Sequence, residues 1–317
     1  MKYRRLGRSG LNISEVILGS WLTFGSSVDD SSTTACVRAA LDVGIQTIDT
    51  ADVYALGEGE RALGVALEGV TRSSIVLMSK CFWPMGEGPN DAGLSRKHVM
   101  ESCEGSLRRL RTDYLDVYQC HRYDPKVPLE ETVRAMEDLV RQGKILYWGV
   151  SVWTGPQIEE ALGIARDIGG YGPISNQPPF SLLERGIEEE VLPTSRRVGV
   201  GQIVFSPLAQ GVLTGKYKGG ARPAGSRLAD EKRNRFMSRY LEDDKPARVE
   251  RFVELARENG TSPARLALAW CLAQPGVDAV IVGATRADQV TDNAGAADVE
   301  IGPDLAKELD TLFTPVD

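Results

Sequence analysis

A (β/α)8 TIM barrel, an α/β fold, is the architecture that the sequence predicts. Eight short apolar runs recur along the 317 residues, and amphipathic helical patterns separate or follow them. Continuous apolar strands that alternate with helices indicate a parallel sheet covered on both faces. Eight such units close naturally into a barrel, and barrels often exceed the usual length of one domain. We therefore expect residues 1–317 to form a single barrel domain.

An open, doubly wound parallel sheet is the alternative to the barrel. Such a sheet is expected to carry the glycine fingerprint G-x-G-x-x-G in its first strand–helix turn. That pattern is absent after Val16–Leu18, the first apolar run. The nearest candidate, Gly57-Glu58-Gly59, follows a strand by eight residues and lacks the third glycine at the right offset. We interpret it as a loop that leads into a helix.

A β-hairpin is predicted before the barrel. Tyr3–Leu6 and Leu11–Ile13 flank the turn-rich Gly7–Gly10, and two short runs around such a turn are typical of a hairpin. The eight barrel strands then follow in chain order as Val16–Leu18, Gln46–Asp49, Ser74–Ser79, Tyr114–Gln119, Ile145–Ser151, Ile174–Asn176, Gln202–Ser206 and Ala279–Val282.

Seven helices are indicated by the spacing of apolar residues and by signals at helix ends. Two of them are expected to begin near Pro156 and Pro263, since each proline follows a residue suited to an N-cap. Gly44 and Gly143 are expected just beyond the ends of two others. The remaining predicted helices are Thr33–Val43, Glu60–Leu67, Val99–Leu110, Leu129–Val140 and Arg248–Asn259.

One connection, from Gly211 to about Asp244, is unusually long, polar and rich in glycine and arginine. Connections of this length inside compact domains are usually functional lids or disordered segments. The sequence therefore marks this loop as a candidate part of a functional site.

Composition and charge narrow the classes of partner. The chain carries 37 Lys and Arg against 44 Asp and Glu, a formal charge of −7, and it contains no basic block long enough for an arm. A nucleic-acid partner is therefore not expected. No apolar stretch approaches the roughly 18 residues of a membrane span, so membrane insertion is not expected either.

The counts of cysteine and histidine bear on compartment and metal binding. The five cysteines are odd in number and no two lie within four positions. This spacing predicts free thiols in a reducing cytoplasm, without disulfides or a C-x-x-C metal clamp. His98 and His121 are the only histidines, so a His-rich site is not expected and we predict no metal.

Four polar side chains are expected on one rim of the barrel. Asp49, Lys80 and His121 end the second, third and fourth predicted strands, and Tyr54 lies five residues beyond Asp49. Active residues of a barrel sit at the carboxyl ends of its strands. The sequence therefore brings these four groups together as a candidate catalytic set.

This set of residue types suits one kind of chemistry. A tyrosine whose pKa is lowered can protonate a carbonyl oxygen, and a nearby lysine ammonium lowers that pKa by stabilising the phenolate. An aspartate holds the lysine in place and keeps it charged, and a neutral histidine can donate a hydrogen bond to the substrate oxygen. The set indicates acid-assisted hydride transfer to an aldehyde or ketone, with a nicotinamide cofactor as hydride donor.

Four aromatic residues also follow strands and are expected on the same rim, where they would wall an apolar pocket for a carbonyl substrate. Simple packing within the loops is the alternative role. These candidate pocket residues are Trp21, Phe24, Trp83 and Trp153.

At these positions the sequence resembles the aldo-keto reductase family. The spacings of 5, 26 and 41 residues along the candidate catalytic set fit the tetrad of that family. The resemblance extends over nearly the whole chain. Within the family, the sequence is most similar to the branch that includes the potassium-channel β-subunits and their bacterial relatives. The motifs that carry it are Ile48-Asp49-Thr50-Ala51-Asp52-Val53-Tyr54, Ser79-Lys80, Gln119-Cys120-His121-Arg122, Trp148-Gly149-Val150-Ser151 and Phe205-Ser206-Pro207-Leu208-Ala209.

The resemblance implies NADPH-dependent reduction of an aldehyde or ketone to an alcohol, with hydride from nicotinamide C4. It makes Tyr54 the general acid, Lys80 and Asp49 its tuning pair, and His121 the donor that orients the carbonyl. It also implies that the long loop clasps NADP(H), and that Lys216, Arg227 and Arg286 suit a 2′-phosphate. The implied cofactor contacts are Ser20, Trp21, Ser151, Asn176, Gln177, Ser206, Pro207, Leu208, Gly211, Lys216, Arg227, Gly283, Thr285, Arg286, Gln289 and Asn293.

Two other functions stay open beside carbonyl reduction. One is an NADPH-binding auxiliary or regulatory subunit with slow turnover, and the other is oxidation of a sugar or polyol hydroxyl. The channel β-subunits carry asparagine at the fourth tetrad position, whereas this chain has His121, which favours an enzyme. Relatives in this branch form rings of four or more, so a homo-oligomer is a further expectation.

Overall fold

The fold is a closed barrel of eight parallel strands surrounded by helices, as the sequence predicts. The structure is a computed structural model, and it describes residues 1–230, 234 and 237–314. The strand order around the barrel is β10-β3-β4-β5-β6-β7-β8-β9. In chain order the barrel strands are β3 (Val16–Gly19), β4 (Thr47–Asp49), β5 (Val76–Cys81), β6 (Leu115–Cys120), β7 (Ile145–Val150), β8 (Ser175–Asn176), β9 (Gly201–Val204) and β10 (Val277–Gly283).

The predicted hairpin is present and closes the amino-terminal end of the barrel. Strands β1 (Tyr3–Arg5) and β2 (Asn12–Ser14) pair antiparallel. Leu6 and Ile13 beside them are fully buried. They pack against apolar side chains inside the lower barrel, which are Ile17, Met78, Val117, Ile203, Ala279 and Ile281. The carboxyl ends of the strands, where the candidate catalytic set is predicted, are therefore at the opposite, open end.

Ten α-helices lie in the part of the chain that the structure describes, against seven predicted. The three that the sequence reasoning missed have 8, 8 and 11 residues. The helices are α1 (Asp30–Asp42), α2 (Glu58–Ala66), α3 (Arg96–Leu110), α4 (Leu129–Arg141), α5 (Gly155–Asp167), α6 (Val191–Val198), α7 (Lys245–Glu258), α8 (Pro263–Ala273), α9 (Ala287–Ala294) and α10 (Pro303–Phe313).

The predicted end signals of the helices are confirmed. Thr154 and Gln157 form a capping box at the start of α5, with proline in its first turn. The Ser262 side chain caps α8, where Pro263 opens the helix. Gly44 follows α1 with a positive φ of 82°, a conformation that glycine adopts without steric cost.

The main hydrophobic core lies between the barrel wall and the helices. It joins outward-facing strand residues such as Leu77 and Val150 to the inner faces of α3, α4 and α5. All five cysteines are free and buried. None of the helices in the described ranges has both the length and the apolar character needed to cross a membrane.

The long connection after β9 is built mainly from short 3-10 turns. They cover Ala209–Thr214, Lys218–Gly220, Arg227–Ala229 and Ser238–Tyr240. Residues 231–233 and 235–236 of the predicted loop lie outside the described part of the chain. The loop begins at the carboxyl end of β9, so it starts on the same rim as the candidate catalytic set.

Candidate active site

Consecutive strands position the candidate catalytic side chains at the open rim. Asp49 is the last residue of β4, Lys80 lies one residue before the end of β5, and His121 follows β6 directly. Tyr54 begins a short 3-10 turn after β4 in which Ala55 has a φ of 51°. A non-glycine residue in the left-handed region is costly, and this turn leads the chain from Tyr54 into α2.

Lys80 is the centre of the site. Its Nζ donates to Asp49 Oδ2 at 2.6 Å, to the carbonyl oxygen of Thr50 at 2.7 Å and to the Tyr54 hydroxyl oxygen at 3.3 Å. The Lys80 side chain is fully buried and Asp49 is 2% exposed. A buried ammonium is held here by three oxygen atoms, so its charge and its position are both secured.

Burial alone would lower the pKa of Lys80, but the charges of Asp49 and Tyr54 outweigh it and raise the pKa. The lysine is therefore protonated at neutral pH. Its ammonium group is directed at the tyrosine hydroxyl, as the sequence predicts.

The direction predicted for the pKa of Tyr54 is wrong. Burial of the phenol is the largest influence and raises the pKa, while Lys80 lowers it by a smaller amount. The sequence predicts the effect of the Lys80 ammonium on the pKa of Tyr54, but it does not show how deeply the phenol is buried. Tyr54 is consequently a neutral phenol at physiological pH, which is the protonation state that a proton donor needs.

His121 stands beside Tyr54 and is uncharged. The two rings meet edge to face, with centroids 5.7 Å apart. Burial, followed by the charges of Lys80 and Arg122, holds the pKa of His121 well below its usual value. Its Nδ1 is buried and has no hydrogen-bond partner among the described residues, so a hydrogen bond to a ligand has to come from Nε2.

The residues expected to hold a nicotinamide carboxamide lie against the catalytic set. Gln177 Nε2 donates to Asp49 Oδ1 at 3.0 Å, and Ser151 Oγ donates to the Gln177 carbonyl oxygen at 2.8 Å. Asn176 Nδ2 donates to Gln202 Oε1 at 3.1 Å. These contacts join the ends of β7 and β8 to Asp49, although 128 residues separate Gln177 from Asp49.

Ser20 joins the same network from the other side. Its Oγ donates to Thr50 Oγ1 at 2.8 Å, and the Thr50 carbonyl oxygen accepts from Lys80. Thr50 thus helps to position Lys80. The sequence analysis includes Thr50 in a motif but assigns no role to it. Its place directly after Asp49 was the available signal.

The loop after β9 has the strain and the charge that suit a phosphate group. Ser206, Gln210 and Gly211 all have positive φ angles, of 56°, 60° and 92°, and such conformations concentrate at ligand-binding turns. Burial and the nearby charge of Arg227 lower the pKa of Lys216. Lysine and arginine are the side chains that bind phosphate groups by charge-assisted hydrogen bonds. Pro207 and Leu208 lie within the same turn.

The long loop also reaches across to the first strand. The guanidinium of Arg227 lies 5.5 Å from the centre of the Trp21 ring and donates to Gln210. The structure therefore brings Trp21, Gln210 and Arg227 together over the rim.

The residues expected at the adenosine end form a separate local group after β10. Gln289 Oε1 accepts from the Thr285 backbone N–H at 2.8 Å, and Asn293 is buried in α9. Arg286 pairs instead with Asp288, at 3.0 Å, on the exposed surface. Gly283 ends β10, where an added Cβ would lie 3.8 Å from the Trp21 carbonyl oxygen.

The four candidate pocket aromatics divide into two pairs. Trp83 is 38% exposed and its ring lies 6.4 Å from that of His121, while Trp21 is partly exposed beneath Arg227. Phe24 and Trp153 are each 1% exposed and belong to the main core, where loop packing accounts for them. Of the four, Trp83 and Trp21 are therefore the ones with surface at the rim.

A buried carboxyl group beneath the Tyr54 turn gives a testable pH dependence. Burial raises the pKa of Asp52 to about 7, partly opposed by the Ser102 hydroxyl, which donates to it at 2.6 Å. An unfolded chain releases this proton near the ordinary aspartate value, so the unfolded state binds fewer protons over that interval. Stability is then lost as pH rises from about 4 to about 7, by at most about 1.4 kcal/mol per pH unit.

We therefore expect Asp52→Asn to remove this pH dependence. The difference in free energy of unfolding between variant and wild type should grow in favour of the variant from about pH 4 to about pH 7, as measured by urea denaturation across that range. Asp113→Asn, which changes an exposed carboxylate, is the matched control. Parallel stability curves for wild type and Asp52→Asn would contradict the prediction.

Among the residues that the structure describes, no three His, Cys, Asp or Glu side chains are grouped so that they could hold a metal ion.

Comparison with known proteins identifies relatives over nearly the whole chain. The model described as "Aldo/keto reductase family" matches residues 15–313. A protein of Oryza sativa subsp. japonica, named "Probable voltage-gated potassium channel subunit beta", is 45% identical over 302 residues, which cover 94% of this chain and 92% of the relative. A protein of Arabidopsis thaliana with the same name is 44% identical over 302 residues, with the same coverage of 94% and 92%. A "Putative voltage-gated potassium channel subunit beta" of Schizosaccharomyces pombe is 39% identical over 326 residues, covering 99% of this chain and 94% of the relative.

Proposed function

The chain belongs to the aldo/keto reductase family, and from this premise we propose that it reduces an aldehyde or ketone to an alcohol with NADPH. The observation that carries the proposal is the position of Lys80 Nζ, 2.6 Å from Asp49 Oδ2 and 3.3 Å from the Tyr54 hydroxyl. A buried cation directed at a neutral phenol is an arrangement for moving a proton.

Each member of the catalytic set has one task in this proposal. Tyr54 gives its hydroxyl proton to the carbonyl oxygen, and the Lys80 ammonium stabilises the phenolate that is left. Asp49 keeps Lys80 charged and in place. His121 is neutral and donates from Nε2 to the same carbonyl oxygen, which fixes the orientation of the substrate. The carbonyl carbon gains a hydride and the oxygen gains the proton, so the product is an alcohol.

NADPH, when bound, supplies the hydride to the carbonyl carbon. The proposed contacts are those that the resemblance implies, with Ser151, Asn176 and Gln177 at the carboxamide and Lys216 and Arg227 at phosphate groups. The pair of neighbouring cations in the long loop and its left-handed backbone support a phosphorylated dinucleotide. We propose that residues 1–317 act as one domain, in the cytoplasm, on a small carbonyl substrate.

The test of this function is a screen of carbonyl compounds in which the consumption of NADPH and of NADH is followed. We expect oxidation of NADPH that depends on both protein and aldehyde. The Tyr54→Phe variant serves as the background, because it keeps the fold and loses the proton donor. No NADPH oxidation above that background with any aldehyde or ketone would contradict the proposal.

The reverse reaction, oxidation of a sugar or polyol hydroxyl, uses the same groups in the opposite order. Tyr54 as phenolate would then accept the hydroxyl proton, with Lys80 beside it. Rates with NADPH plus aldehyde, compared with rates with NADP+ plus alcohol, determine which direction the protein favours.

A role as an auxiliary or regulatory subunit is the second candidate function, and the names of the relatives, which are those of potassium channel β-subunits, favour it. In that case the protein would bind NADPH, turn over slowly and associate with a partner protein or with copies of itself. Slow turnover together with stoichiometric co-purification of one partner would support this role. Light scattering of the purified protein tests the homo-oligomer.

Arg286 allows the preference for NADPH over NADH to be tested separately. If it contacts a 2′-phosphate, Arg286→Met should weaken NADPH binding by about 10-fold or more and leave NADH binding nearly unchanged. Arg251→Met is the matched control, since both arginines are on the surface and paired with carboxylates. The measurement is a fluorescence titration with each cofactor, and equal loss of affinity for both would refute a 2′-phosphate contact.

A further inference from the structure

Arg122 is a partly buried cation at the open rim that has no carboxylate partner among the described residues. Its Nη1 donates to the His121 carbonyl oxygen at 2.5 Å and to Ser151 Oγ at 3.4 Å. In the described ranges no Asp or Glu oxygen lies within 4.0 Å of its guanidinium. Another partly buried arginine, Arg72, is paired with Asp116 at 2.7 Å. The cation at the rim is thus left open to an anion from outside the protein.

The remaining donors of Arg122 support that conclusion. A guanidinium has five N–H groups in a planar fork that matches a carboxylate. Only Nη1 has a protein partner in the part of the chain that the structure describes. Burial lowers the pKa of Arg122, although the charge of Tyr54 acts in the opposite direction. A negatively charged ligand would therefore stabilise the charged guanidinium.

The position of Arg122 relates it to the reacting groups. Its guanidinium lies 5.6 Å from the centre of the Trp83 ring, and the Trp83 ring lies 6.4 Å from the His121 ring. The Tyr54 ring also lies beside that of His121, with ring centroids 5.7 Å apart. A ligand whose carbonyl oxygen meets Tyr54 and His121 therefore has an aromatic wall and then a cation within reach of its distal end.

We propose that Arg122 binds a carboxylate of the substrate, so that the preferred substrates are aldehydes or ketones that also carry a negative charge. This proposal rests on the carbonyl reduction proposed above and names its substrate class. Charge-assisted hydrogen bonds from arginine to a carboxylate are strong and can be bidentate. The Trp83 ring packs beside the guanidinium and would cover the apolar part of the same ligand.

The test compares substrates that differ only in charge. The probes are 3- and 4-carboxybenzaldehyde and the matched carboxamides, 3- and 4-formylbenzamide, with NADPH as cofactor. For at least one isomer we expect wild type to show a higher kcat/KM for the carboxylate. The ratio of carboxylate to carboxamide kcat/KM should fall about 10- to 100-fold in Arg122→Met. Arg122→Lys should retain part of the preference, because it keeps a point charge.

Binding measurements keep the result independent of turnover. Calorimetric titration of the same four probes into the NADP+-loaded protein reports affinity without reduction. A carboxylate preference that Arg122→Met loses supports the proposal even if no carbonyl is turned over, in which case the proposed reductase function fails alone.

Two results would overturn the carboxylate site. One is a wild type that does not prefer the carboxylate over the carboxamide for either the 3- or the 4-substituted probes, or a preference that is unchanged in Arg122→Met. The other is a weaker dissociation constant for NADPH in Arg122→Met with an unchanged ratio of carboxylate to carboxamide, which would assign Arg122 to the cofactor.

Discussion

Replacing Tyr54 by phenylalanine is expected to abolish turnover and to leave NADPH binding intact. The variant removes one oxygen atom, to which Lys80 Nζ donates at 3.3 Å, and it keeps the ring that packs edge to face on His121. Loss of a general acid typically costs about 10²- to 10⁴-fold in rate. The dissociation constant of NADPH should change little, since the hydroxyl lies among the reacting groups.

Steady-state rates with an aldehyde and a fluorescence titration with NADPH measure the two parts of this prediction. Tyr171→Phe is the matched control, because Tyr171 is 84% exposed and should keep full activity. If Tyr54→Phe turned over at nearly the wild-type rate, Tyr54 could not be the proton donor. If it lost NADPH as well, the hydroxyl would be part of the cofactor site.

Replacing Lys80 by methionine is expected to lower both stability and activity by large amounts. Lys80 is fully buried and Asp49 is 2% exposed, so the variant leaves a carboxylate buried without its cation. The remaining side-chain donor to Asp49 in the described structure is Gln177, at 3.0 Å. Removing one partner of a buried ion pair typically costs about 3–5 kcal/mol of unfolding free energy.

The matched double variant, Asp49→Asn with Lys80→Met, separates charge from packing. We expect it to recover part of the lost stability, because no unpaired charge is left in the barrel. Lys97→Met breaks an exposed pair with Glu101 on α3 and should cost at most about 1 kcal/mol. Urea denaturation measures all four proteins, and a Lys80→Met variant as stable as the Lys97→Met control would show that the buried pair contributes nothing.

Much of the fold could be predicted because its signals are local. Each barrel strand is a short apolar run, and the carboxyl end of each run marks the open rim of the barrel. The predicted and observed strands agree to within about two residues at most ends, as for Tyr114–Gln119 against Leu115–Cys120. The three missed helices are α6, α9 and α10. Helices α6 and α9 have only 8 residues each, about two turns, whereas α10 has 11 residues and begins with a proline, as the predicted α8 does.

The grouping of the candidate catalytic side chains could also be predicted, since the spacing from Asp49 to His121 follows from the strand ends. The environment of that set could not. Whether Tyr54 gains or loses acidity depends on how much solvent the folded rim removes, and burial proves to be the larger influence. Arg122 follows His121 directly in the sequence, but only the folded structure shows that its guanidinium contacts Ser151, 29 residues away.

The sequence by itself therefore determined the barrel, the order of its strands and the side chains at its open end, because strand period, glycine turns and residue chemistry are properties of neighbouring residues. The tertiary structure decided which of those side chains touch, how burial and neighbouring charges shift their pKa values, and which rim cation has no carboxylate partner among the described residues. Lys80 meets a hydroxyl 26 residues away and Asp49 meets an amide 128 residues away. Electrostatic energies depend on distance and burial in space, and closure of the barrel sets both.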